Sequence, residues 1–244
     1  MRPATRRGLL LAALILGGWL LSLLLILPAA WGHWSPPLML LAVLLRSQLQ
    51  TGLFIVGHDA MHRVLLPGAP RLNDRIGALV LGLYAALPFD RCLRQHQRHH
   101  RAPATALDPD FHGPGQSSVV AWYRRFMARY LNPVQMSLLL TAWALLAWWS
   151  SVESVLLFCT LPLMLSSLQL FVVGTVLPHR RGCGAEPAQR TRSLDLPEWL
   201  SLLACYHFGY HLEHHQAPQL AWHELPQRHR ERTPSPLAPT VSAQ

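Results

Sequence analysis

The chain has 244 residues, 51% of them hydrophobic and only 14% charged. That is too apolar for an ordinary soluble domain, and the apolar residues fall in long runs, so a membrane protein is expected. The net charge is +9 and all 21 cationic side chains are arginine; they cluster beside the apolar runs, which argues for membrane topology and against a nucleic-acid partner.

No low-complexity linker divides the chain, so residues 1–244 are expected to form a single membrane unit. Cys92, Cys159, Cys183 and Cys205 form no CxxC pair, which argues against a disulfide framework or a cysteine zinc site. A helix needs about 20 apolar residues to cross the hydrocarbon core. The first such run covers about residues 8–31, behind Arg2, Arg6 and Arg7. It is longer than the core of a signal peptide and lacks a clear cleavage site, so it reads as a retained helix. The second covers residues 36–61 and carries Arg46, Gln48 and Gln50, which are costly in lipid unless they face protein or water. Residues 133–150 and 152–178 form the third and fourth runs, separated so briefly that an antiparallel hairpin is expected.

Three further stretches are too short or too mixed to span. Ile76 to Pro88 is apolar with arginine at both flanks, which fits an interfacial or re-entrant segment. Ser117 to Leu131 mixes aromatic residues with Arg124, Arg125 and Arg129, the pattern of an amphipathic surface helix. Trp199 to Gly209 runs directly into histidines. The loops near His33 and Ser150 contain no arginine. The positive-inside rule therefore puts both termini in the cytoplasm. The expected fold is an all-α integral membrane protein, with four transmembrane helices, interfacial or re-entrant helices and a histidine cluster on the cytoplasmic side.

The chemistry is carried by that cluster. His58 and His62 are four apart, so on a helix both imidazoles share a face. His96, His99 and His100 form an HxxHH pattern, and His211, His214 and His215 repeat it. Eight imidazoles at one depth would repel one another if protonated. Metal coordination requires neutral rings and removes the repulsion. Imidazole suits Zn, Cu, Fe and Ni, and this many ligands suffice for two ions. A transporter would place its polar ligands near the bilayer midplane, whereas these lie at helix ends.

The chain resembles the membrane desaturase and hydroxylase superfamily, and within it the bacterial-type β-carotene ketolases. The resemblance rests on Thr51 to His62 (TGLFIVGHDAMH), Leu107 to Asp110 (LDPD) and Ser166 to Phe171 (SSLQLF). It continues through Leu177-Pro178-His179 and Cys205 to His215 (CYHFGYHLEHH), with Pro218 to Leu220 and Leu225-Pro226 behind them. It runs from about residue 40 to 230. It implies two iron ions, with His179 as a ninth ligand beside the eight above. It also implies O₂ as co-substrate and electrons from a ferredoxin or similar carrier protein. The implied reaction oxidises the allylic C4 carbon of a carotenoid ring twice, taking β-carotene to echinenone and then canthaxanthin. An acyl-lipid desaturase or hydroxylase of the same superfamily is the alternative.

Asp59, Asp108, Asp110 and Glu213 are candidates to accept the free N–H of a ligating ring. His207, four before His211, is expected on the same face as a supporting residue rather than a ligand. His33 and His229 lie outside the pattern, and His112 is ambiguous. Four positions depart from the ketolase pattern. Arg63 stands where Gly is usual, Ala102 lies in the pair behind the second box, Ala217 replaces an aromatic and His223 replaces Trp. The last two are expected to alter the substrate pocket.

Overall fold

The computed structural model describes residues 2–112, 118–180 and 190–233; Cys183 lies outside them. Ten helices carry the described chain. They are α1 (Pro3–Ile26), α2 (Pro36–Met61), α3 (Pro70–Ala85), α4 (Phe89–Arg101), α5 (Val119–Tyr130), α6 (Pro133–Trp149), α7 (Val152–His179), α8 (Glu198–Cys205), α9 (His211–Gln216) and α10 (Leu225–Arg232). Short 3-10 turns accompany them, and the described residues contain no strand.

Helices α1, α2 and α7 have 24, 26 and 28 residues and are long and apolar enough to cross a membrane. Helix α6, with 17 residues, rises only about 25 Å at about 1.5 Å per residue, against a hydrocarbon core of roughly 30 Å. It joins α5 at a bend of 89°, and α3 joins α4 at a bend of 98°. The stretches expected to be interfacial or re-entrant, residues 76–88 and 117–131, fall mainly in α3 and α5, the first member of each bent pair. The first span begins and ends about five residues earlier than its apolar run. Pro3 starts it at a position that needs no amide donor, and the helix stops at Ile26 with Leu27, still in helical conformation, as its C-cap just ahead of Pro28.

Leucines that face outward on the long helices, such as Leu10, Leu14, Leu41, Leu138 and Leu145, mark the surface presented to lipid. Inward, α2 packs against α1, α3 and α7. Two glycines set the α2–α3 approach: a Cβ at Gly57 would lie 2.6 Å from Leu81, and one at Gly77 would strike Phe89 and Ala60.

The polar residues of α2 tie the bundle together. Arg46 is 1% exposed. Its guanidinium donates to Phe158 O, Trp19 O and Ser22 Oγ, each at 3.0 Å, and lies over the Trp19 ring. The Phe158 carbonyl needs this donor because Pro162, four residues on, has no N–H to offer it. Helix α7 makes a π-helical turn here, over Leu156–Thr160. Gln50 accepts from Trp19 Nε1 at 2.6 Å and donates to Tyr84 O. Gln48 donates to Leu202 O at 3.2 Å. The cost anticipated for these groups is met by protein partners.

The two ends of the bundle differ. At one end, Trp31 Nε1 donates to Ser154 Oγ at 2.8 Å, so the α1–α2 and α6–α7 connections meet there. At the other end, the start of α1 meets the C-terminal segment. A Cβ on Gly8 would lie 3.3 Å from His223 Nε2.

Candidate metal centre

Four elements deliver nine imidazoles to one end of the bundle. Helix α2 ends on His58 and His62, and α4 carries His96, His99 and His100. Helix α7 closes on His179, and α9 presents His211, His214 and His215. The rings separate into two groups. His58, His62, His96, His100 and His214 form one, and His99, His179, His211 and His215 form the other. In each group the nitrogens lie within 4.8 Å of one another.

In the first group, His62 Nε2 lies 2.7 Å from His96 Nε2, and His100 Nε2 lies 2.9 Å from His214 Nε2. The His58 ring is 4.5 Å from that of His96 and 4.6 Å from that of His214. In the second, His179 and His211 approach to 3.0 Å through Nε2. His215 Nε2 lies 3.1 Å from the Nε2 of both His99 and His211. Both nitrogens of His58 and Nδ1 of His211 are buried without a hydrogen-bond partner. Such nitrogens are costly in a dry site unless another ligand meets them.

The geometry of α7 near its end explains how His179 arrives. A second π-helical turn over Val172–Val176 precedes it, and such turns re-aim the residues that follow. Beyond His179, Arg192 Nε donates to Leu177 O at 2.8 Å, closing an open carbonyl of the helix end. Gly174 in this turn leaves room for Phe208, whose ring would lie 2.7 Å from a Cβ there. Phe208 packs against both His58 and His211.

The carboxylates divide by role. Asp108 is bonded to His99 Nδ1 at 2.9 Å and accepts the amides of Ala104 and Asp110 at 2.7 and 2.8 Å. Burial works to raise its carboxyl, but these hydrogen bonds outweigh it and hold the group below the usual carboxylate range. Asp110 meets no ring nitrogen within hydrogen-bond reach; it accepts from Tyr130 Oη at 2.7 Å. Burial lifts its carboxyl to about 6. His179 Nδ1 uses a backbone carbonyl, Arg190 O, at 2.9 Å.

Asp59 and Glu213 depart from the role expected of them. Asp59 accepts the Trp222 amide at 3.3 Å and stands 3.9 Å from His58 Nδ1, too far for a hydrogen bond. Glu213 takes bonds from Ser193, Arg232 and, at 2.9 Å, His229 Nδ1. The i, i+3 logic that turns His211 and His214 inward turns Glu213, between them, toward α10. His229, given no role from the sequence, thus braces the third box through Glu213.

His207 also departs from expectation. Helix α8 stops at Cys205, and Tyr206 and His207 take φ angles of 48° and 62°. This left-handed break means that no continuous helix aligns His207 with His211. Its ring stacks on Tyr210 and Trp222 instead.

An inner cavity of about 50 Å³ touches both histidine groups, with His58, His96, His99 and His211 in its wall. A larger, apolar groove of about 250 Å³ runs between α3, α5, α6 and α7. The two share Phe54, Phe126, Tyr130 and Leu170. Ala217 and His223 line neither, contrary to expectation. His223 is in the wall of a separate cavity beside Pro3 and Arg7. Ala102 ends α4. Arg63 has φ 56°, the left-handed region in which glycine is at ease, and pairs with Asp74 at 3.3 Å.

The fatty acid desaturase family model matches residues 32–141 and 130–239. The chain belongs to the fatty acid desaturase family. With this fold and its apolar spans, this desaturase-family chain is an integral membrane protein. It is 43% identical over 185 residues to a beta-carotene ketolase of Paracoccus sp. (strain N81106 / MBIC 01143), covering 73% of this chain and 74% of the relative. It is 34% identical over 214 residues to a beta-carotene 4-ketolase of Protosiphon botryoides, covering 82% of this chain and 53% of that protein. Against the zeaxanthin 4-ketolase of Chlamydomonas reinhardtii the identity is 38% over 197 residues, covering 78% of this chain and 44% of the relative.

Proposed function

We propose that this chain is a membrane carotenoid ketolase, an oxygenase that places a keto group at C4 of the β-ionone rings of β-carotene. One ring gives echinenone and both give canthaxanthin. The observation that carries the reading is the sorting of nine imidazoles, five buried and four partly buried, into two groups at the inner end of an apolar groove. The ketolase relatives supply the substrate class.

The donor set fits two iron ions: neutral nitrogen ligands in two groups of five and four, a chemistry that suits iron, with buried nitrogens that lack partners in the protein. His58, His62, His96, His100 and His214 would hold one ion, and His99, His179, His211 and His215 the other. Iron so held supplies the activation of O₂ and the oxidation of an allylic C–H bond, fed by electrons from a ferredoxin or similar carrier.

The chain's own residues do the rest. Asp108 fixes the tautomer of His99, and Arg190 O fixes that of His179. Phe54, Phe126 and Leu170 line both the groove and the inner cavity where they adjoin, and these apolar walls suit a hydrocarbon ring and exclude water. A carotenoid is a stiff rod about as long as the roughly 30 Å hydrocarbon core. It can therefore lie in lipid while one ring enters the groove.

The membrane arrangement is proposed as four spans, α1, α2, α6 and α7, with α6, at 17 residues, at the short end of the spanning range of about 17–25, and with both termini and the histidines on the cytoplasmic side. The absence of arginine near Trp31 and Ser151 supports it. So does the meeting of those two connections at the end opposite the histidines. The test is pigment analysis of a β-carotene-producing bacterium that expresses this chain. Echinenone followed by canthaxanthin is expected. Altered acyl lipids with untouched β-carotene would overturn the substrate assignment.

A further inference from the structure

One polar pair stands where groove and cavity adjoin, and the proposed reaction does not yet use it. Tyr130, the last residue of α5, is in the wall of both. Its hydroxyl donates to Asp110 Oδ1 at 2.7 Å. Asp110 is itself held: its amide donates to Asp108 Oδ1 at 2.8 Å, and its carbonyl accepts Trp122 Nε1 at 2.7 Å. The walls around the pair are otherwise mostly apolar or belong to the histidine groups.

A phenol has one proton to give, and Tyr130 gives it to Asp110. What remains is an oxygen lone pair that can only accept. An unoxidised ring, with CH₂ at C4, has nothing to donate to it. A ring oxidised once carries a C4 hydroxyl, which is a donor. Burying that hydroxyl among apolar side chains without a partner is costly.

We propose that Tyr130, oriented by Asp110, is a positioning residue that binds the C4 hydroxyl of the half-oxidised ring and retains it for the second oxidation. This rests on the ketolase reading above. The bond is absent for the starting ring and present for the hydroxylated one, so it acts on the second round alone. In that round O₂, two electrons from the carrier and two protons replace the remaining C4 hydrogen with hydroxyl and release one water. The geminal diol then loses a second water and leaves the ketone.

The test is Tyr130→Phe in the full-length, membrane-embedded protein. It removes one oxygen from a half-buried position. The ratio of 4-hydroxy to 4-keto product is expected to rise about tenfold, the weight of one hydrogen bond, with ketone formation falling more than β-carotene consumption. The KM for supplied 4-hydroxy carotenoid should rise by a similar factor, and by more than that for β-carotene. An unchanged product ratio, or equal losses on both substrates, would overturn the proposal. A second measurement needs no variant. With wild-type protein, the 4-hydroxy carotenoid should compete against β-carotene about tenfold better than its 4-methoxy ether, which can accept but not donate. Equal competition would also overturn it. A wild-type protein that forms no ketone from β-carotene defeats the ketolase reading itself, an outcome separate from either result.

Discussion

His99 and His100 are neighbours in the chain, yet their imidazoles belong to different groups. His99 Nε2 lies 3.1 Å from His215 Nε2, and His100 Nε2 lies 2.9 Å from His214 Nε2. The two ring planes are turned 86° from each other. The third box repeats the arrangement, with His214 going to one group and His215 to the other. Each HxxHH pattern therefore straddles both groups, and α4 and α9 lock them together.

Single substitutions in one box should accordingly affect different ions. Purified wild-type protein is expected to hold about two irons per chain. His100→Ala and His99→Ala should each retain about one and lose ketone formation. His214→Ala should abolish it too, whereas Leu212→Ala, on another face of the same turn, should largely preserve it. Iron analysis beside pigment analysis checks this, and an active His214→Ala protein would defeat the ligand assignment.

Asp108 supports His99 with charge as well as geometry. Asp108→Asn keeps an acceptor but removes the charge, and Asp108→Ala removes both. Activity or iron affinity is expected to fall about 10- to 100-fold, as for other outer partners of ligating histidines, with the alanine variant the worse. Iron titration of the two proteins gives the order.

Arg46 is expected to matter for stability rather than turnover. Arg46→Leu leaves the carbonyl of Phe158 without its donor, along with Ser22 Oγ. The expected loss is about 2–4 kcal/mol, read as a lowered thermal midpoint in detergent. An unchanged midpoint would mean that water or lipid replaces those bonds.

Arg63 should tolerate glycine. Its φ of 56° costs an ordinary residue about 1–2 kcal/mol. Its ion pair with Asp74 is well exposed and contributes little. Arg63→Gly is expected to keep full ketone formation and leave the thermal midpoint equal or slightly raised. A clear drop would show that the Asp74 pair outweighs the strain.

Topology is checked with reporters. Fusions at both termini should report from the cytoplasm and an insertion near Ser151 from outside. Reports from opposite sides for the second and third boxes would be incompatible with a shared site.

The apolar runs and histidine boxes were legible in the sequence because each depends on local periodicity. Apolar length defines a span, and an i, i+4 offset turns His58 and His62 to one side whatever surrounds them. The start of α2 at Pro36, the Ser151-capped hairpin and the bends near Pro88 and Pro133 are all local signals. Which imidazole meets which was decided only by tertiary structure. It depends on how α2, α4, α7 and α9 cross, and HxxHH spacing alone is silent on His99 and His100 parting company. The same holds for Glu213 and His207. Glu213 found α10 rather than a ligand ring, and the left-handed turn at Tyr206 and His207 broke the helical face that spacing implied. Arg46 was visible as a cost. Its partners, one of them a carbonyl left open by Pro162 on a helix 112 residues away in sequence, emerged only when the helices packed.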